Sequence, residues 1–187
     1  MHTWQNIQSM QAKEFTCGFC GRAVASDRGY FTAQSPQAFI YICPNCKCPS
    51  YFFDQEKIQV PRVTPGNEVR SVPDDVNALY REARKCVSIG ASTAAVLACR
   101  KLLMSIAVAQ GADAGTSFNS YVNYLAEKGF VPPNGRGWVD HIRNKGNEAN
   151  HEILLMSQDD AEELILFSEM LLKFIYEFPA RVPKQNA

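Results

Sequence analysis

The chain has 187 residues, 46% of them apolar, and nineteen basic residues balance nineteen acidic ones. The length suits one domain of ordinary size plus a small appendage, and the apolar share supports a core, which excludes a disordered chain. The absence of net charge excludes a global field that draws the protein to nucleic acid or an anionic membrane, so any such binding must come from a local patch or one composed across subunits.

The first residues, Met-His-Thr-Trp-Gln-Asn, lack the basic and apolar regions of a signal peptide. Seven cysteines without such a signal point to a reducing compartment and to metal ligation rather than disulfides. The expectation is a cytoplasmic protein. Cys17-Gly-Phe-Cys20 and Cys43-Pro-Asn-Cys46 are two CxxC pairs, each able to turn two thiolates toward one ion. Strands over Ala38–Cys43 and Ser50–Phe53 suit a small β zinc ribbon over residues 1–54. Four thiolates close a tetrahedral shell and leave no position for a reactive water, so the zinc expected at Cys17, Cys20, Cys43 and Cys46 is structural. Cys48 is a spare thiol that competes with Cys46 for the fourth place; the spacing favours Cys46.

Residues 55–72 carry Pro61, Pro65 and Gly66 with little periodicity and read as a linker. Val72-Pro73-Asp74-Asp75 opens a helix with a stripe of Val76, Leu79, Tyr80, Ala83 and Val87, ending near Gly90. The next helix, Ser92 to Gln110, is apolar nearly all round and reads as the central buried helix; Arg100 and Lys101 at its middle argue against a membrane span. Cys86 and Cys99 read as small core residues. Arg100 requires either a structural ion pair or a place in a functional groove. A third helix spans Ser117 to Lys128, and a last one starts at a Ser157 cap and stops before Pro179. With residues 73–180 as the helical domain and 181–187 as a tail, the expected fold is mainly α, a five-helix bundle behind the ribbon.

Between those last two helices lies Trp138-Val-Asp-His-Ile-Arg143-Asn-Lys-Gly-Asn147-Glu-Ala-Asn-His151. Wound as a helix, it puts Trp138, Val139, Ile142, Gly146 and Ala149 on an inward face. Arg143, Asn144, Asn147, Asn150 and His151 share another face, an unusual set for a merely solvated surface. With Arg100, the first four are the candidate nucleic-acid contacts; Arg143, Asn147 and His151 are the candidate catalytic residues.

The helical body resembles the prokaryotic domain-of-unknown-function family 4145, which lies near the HEPN superfamily of helical bundles. The residues that carry the resemblance are Leu79-Tyr80-Arg-Glu-Ala83, Ala94-Ala-Val-Leu-Ala-Cys-Arg100, Ile142-Arg143-Asn-Lys-Gly146-Asn147-Glu-Ala-Asn-His151 and Ile175-Tyr176-Glu-Phe-Pro179. It implies a HEPN-like fold, a homodimer, and a place in a prokaryotic defence or restriction-type system alongside a defence-system protein partner. It also implies RNA as a ligand, since catalytic HEPN domains cut RNA without metal through an Arg and a His. Three functions therefore stand open at the level of sequence. One is an interaction module without chemistry, another a nucleic-acid binder without cleavage, and the third a metal-independent ribonuclease using Arg143 and His151.

Overall fold

The computed structural model describes residues 3–33, 37–53, 58–132, 137–138, 140–142 and 155–182. Two compact units divide the chain, Met1–Thr64 and Pro65–Ala187. The first is a five-stranded antiparallel meander in the order β1 to β5: Gln8–Thr16, Ala23–Phe31, Ala38–Ile42, Pro49–Phe53 and Ile58–Val60. This corrects the mainly α expectation: the protein is mixed α and β. The two longest strands escaped the sequence reading because β1, Gln-Ser-Met-Gln-Ala-Lys-Glu-Phe-Thr, shows no alternation of apolar and polar residues. Its pairing with β2 shifts between Ser9 and Lys13, and Phe15 alone on the strand is buried.

Phe15, Tyr41 and Phe52 come from β1, β3 and β4 and pack as the centre of a small core. Phe15 and Tyr41 both meet Phe52 edge-on, with ring centroids 5.1 and 5.7 Å apart. Such pairs add about 1 kcal/mol each beyond their burial. After β5 the chain passes over the first cysteine turn. The Gln59 amide donates to the Thr16 carbonyl at 2.8 Å and the Thr64 hydroxyl to that of Gly18 at 3.2 Å. A Cβ on Gly18 would lie 2.3 Å from the Pro61 carbonyl oxygen, so only glycine admits this approach.

The second unit contains α1 (Asp74–Ser88), α2 (Ser92–Ala109), α3 (Phe118–Glu127) and α4 (Gln158–Leu172). A π-helical turn, Lys173–Glu177, joins α4 to a last short helix, α5 (Phe178–Arg181). Asp74 and Asp75 lie in the first turn of α1, where they oppose the positive end of the helix. Ser157 and Asp160 cap α4 reciprocally through backbone N–H bonds of 3.1 Å. The helical path runs through Pro179 rather than stopping before it. The π turn brings the proline to the start of α5, where a missing N–H costs little.

Among the described residues α2 is the one helix long and apolar enough to cross a membrane. In this fold its Ala95, Val96, Cys99, Leu102, Leu103, Ile106 and Ala107 are buried in the core, where it packs on α1, α3 and α4. The segment before α1 is tied down by charged side chains. Arg84 donates to the carbonyls of Pro65 and Gly66 and to Glu68, and Glu169 accepts from the backbone and side-chain amides of Asn67 at 2.8 and 3.0 Å. Glu177 accepts from the Arg70 backbone N–H at 3.0 Å. Gly66, at φ +68°, fits because a Cβ there would lie 2.9 Å from Glu169, Ile165 and Tyr80.

Candidate metal centre

Each CxxC pair lies in the turn between two strands: Cys17 to Arg22 joins β1 to β2, and Cys43 to Cys48 joins β3 to β4. The two turns repeat one another bond for bond. Cys17 N–H donates to the Arg22 carbonyl at 2.9 Å, and Cys43 N–H to that of Cys48 at 2.9 Å. Gly21 N–H returns to the Cys17 carbonyl at 2.8 Å, and Lys47 N–H to the Cys43 carbonyl at 2.9 Å. Both of those fifth residues are left-handed, Gly21 at φ 67° and Lys47 at φ 62°. Glycine takes that conformation without strain, whereas Lys47 is held in it, with its carbonyl accepting from the Trp4 indole at 2.7 Å.

The four sulfurs of Cys17, Cys20, Cys43 and Cys46 all lie within 4.8 Å of one another. The Cys17–Cys46 and Cys20–Cys43 separations are 3.7 and 3.8 Å. Those are too long for disulfides. They match the edge of a sulfur tetrahedron around an ion at about 2.3 Å, which is about 3.8 Å. The group is thus a site able to hold one metal ion. Cys48 is outside it, because it occupies the place that Arg22 holds in the first turn. Its thiol sits 3.8 Å from the Cys46 carbonyl oxygen.

Backbone N–H groups of Phe19, Cys20, Arg22 and Cys48 are aimed at the sulfurs. Burial first of all holds Cys17 and Cys46 above the usual thiol range. Burial also opposes ionisation of Cys20. The Arg22 N–H, the Asn45 amide and the neighbouring thiols outweigh it and bring Cys20 down to about 7. Asn45 was not singled out from the sequence. Its amide donates to the Cys20 sulfur at 3.5 Å while its carbonyl accepts from Arg22 at 2.9 Å, tying the second turn to the first. The available signal was an amide side chain inside the second CxxC pair.

Of the other sequence candidates, Arg143, Asn144, Asn147, Asn150 and His151 lie outside the described residues, as do Val139, Gly146 and Ala149 of the inward face. Ile142 is fully buried, and Trp138 packs edge-on to Phe167 with centroids 5.0 Å apart. His141 pairs with Glu163 at 2.5 Å, both about half exposed. Arg100 is buried and its guanidinium lies over the ring of Phe118 at 4.2 Å. Among the described residues no ion pair includes it.

The fold and the site define a two-part protein, with a four-cysteine metal site on an antiparallel sheet and a separate helical unit. The family model described as "Domain of unknown function (DUF4145)" matches residues 81–186, and the chain belongs to that family. No curated protein and no solved structure matches it.

Proposed function

We propose that this protein is a non-catalytic interaction module: a zinc ribbon held by one structural zinc ion, followed by a HEPN-like helical domain that forms a homodimer and associates with nucleic acid. The reading places it in the cytoplasm, within a prokaryotic defence or restriction-type system. The observation that carries it is the pair of matched turns that bring four sulfurs to tetrahedral spacing. A set of four thiolates fills the coordination of the ion, so zinc bound there supplies folding energy and no reactive water. The sheet's buried core is small, and a unit of this size gains from such a staple. Leu166, Phe174 and Phe178 leave an exposed apolar stripe on the α4–α5 side, which supports the dimer. Family resemblance at Arg143 to His151 supports the nucleic-acid association.

Protein purified without added metal should contain about one zinc per chain. Cys17→Ser with Cys43→Ser should lose that zinc and the fold of the sheet together. Short RNA incubated with the wild type, with no added divalent ion, should remain intact. A metal-free preparation with an intact sheet would defeat the ribbon reading. RNA cleavage that disappears in both Arg143→Ala and His151→Ala would replace the module with a ribonuclease.

A further inference from the structure

Arg100 is 6% exposed and sits near the middle of the central helix. Its Nη1 is fully enclosed with no hydrogen-bond acceptor, and among the described residues it enters no ion pair. Burying a guanidinium without a counter-charge is costly, and burial holds its pKa below the usual value. The Phe118 ring beneath it, at 4.2 Å, offsets part of that cost but satisfies no N–H. Arg84 in the same unit shows the contrast: it is 7% exposed, yet three of its N–H groups have oxygen partners.

The place of Arg100 says what is missing. Phe118 is the first residue of the ten-residue helix α3, so the guanidinium lies over a ring carried by the first turn of that helix, the turn whose N–H groups form its positive end. Ser117 caps only the Ser120 N–H, at 3.1 Å, and the first N–H groups of α3 have no partner within the helix. Lys101 is close enough to act electrostatically on Tyr121, one turn further along α3. A fixed guanidinium, a helix N-terminus and a lysine together exceed the single charge of a carboxylate and suit a dianion.

We infer that Arg100 and the N-terminus of α3 form a binding site for a phosphate group, with Arg100 presenting its unpartnered edge to two phosphate oxygens. The enclosed nitrogen requires the phosphate to displace the atoms that cover it. The phosphate comes either from free inorganic phosphate or from a nucleotide strand. The second source rests on the nucleic-acid part of the proposed function; the first is independent of it.

The test is the thermal unfolding midpoint of the full zinc-loaded chain. Inorganic phosphate and a 5′-phosphorylated oligoribonucleotide are the two ligands, with chloride at equal ionic strength as the reference. At least one should raise the wild-type midpoint by several degrees. Arg100→Met, which removes the unpaired charge, should unfold no earlier than wild type without ligand and should lose the shift. Arg100→Lys, which keeps the charge without the fork, should retain only part of it. A shift with inorganic phosphate supports the site whatever RNA does, and a shift with the oligonucleotide alone assigns it to strand phosphate. The inference is overturned if neither ligand acts, or if the shift survives Arg100→Met. It is also overturned if Arg100→Met lowers the ligand-free midpoint with no phosphate effect in wild type, which would make Arg100 part of a structural pair. None of those failures touches the zinc content that tests the ribbon.

Discussion

At the scale of single residues, the metal centre depends on more than its four sulfurs. Asn45 is exposed, so its substitution should leave the sheet folded, yet it is the only described side chain that both touches a ligand sulfur and joins the two turns. Groups of this kind orient ligands, and removing one typically weakens metal affinity about tenfold or more. Asn45→Ala should therefore release metal to a competing chelator about tenfold faster than wild type, with the zinc content at purification unchanged. Equal release rates would show the amide to be a bystander. Arg100 belongs to the same scale: a residue type visible in the sequence whose role is set by what surrounds it.

At the scale of elements, the segment from Pro65 to Arg70 is held against α4 and the π turn by carboxylates that accept its backbone N–H groups. Burial alone would raise the pKa of Glu169. Lys173 and the two Asn67 amides outweigh it and hold the carboxyl below its ordinary value. The unfolded chain therefore binds the proton more readily than the folded one. The contribution of Glu169 is complete above the unfolded pKa of about 4.3 and is lost as the pH falls toward the lower folded value. Glu169→Gln should cost about 2 kcal/mol at neutral pH and flatten the acid limb of the stability profile below about pH 4.3. Denaturant titrations of the helical unit at several pH values read both effects. A variant whose acid limb stays parallel to wild type would assign the limb to other carboxylates.

At the scale of the whole molecule, the aromatic residues near the C-terminus divide between core and surface. Phe167 is fully buried against Trp138, so it belongs to the core, while Leu166, Phe174 and Phe178 stay 43–50% exposed. Phe174 and Phe178 meet edge-on at 5.4 Å and present one surface. If that surface joins two copies, light scattering at micromolar concentration should give twice 20.9 kDa. Phe174→Asp with Phe178→Asp should give the monomer mass with helical content intact. A wild-type monomer would remove the dimer from the proposal.

Some of this was legible in the chain because it is local. Two CxxC pairs bend the backbone by themselves, the Ser157 cap needs only the residue three places on, and the apolar run from Ala94 to Ala109 dictates a buried helix. What the sequence could not determine depends on contacts between distant residues. β1 is a strand because β2 pairs with it, not because its own residues alternate. Asn45 meets Cys20 only once two turns face each other, and Cys48 is set aside because the second turn repeats the first. Phe167 belongs to the core because it packs there against Trp138, a residue distant in the chain. Local sequence specifies which turns and helices form; tertiary packing decides which side chains become ligand supports, core, or surface.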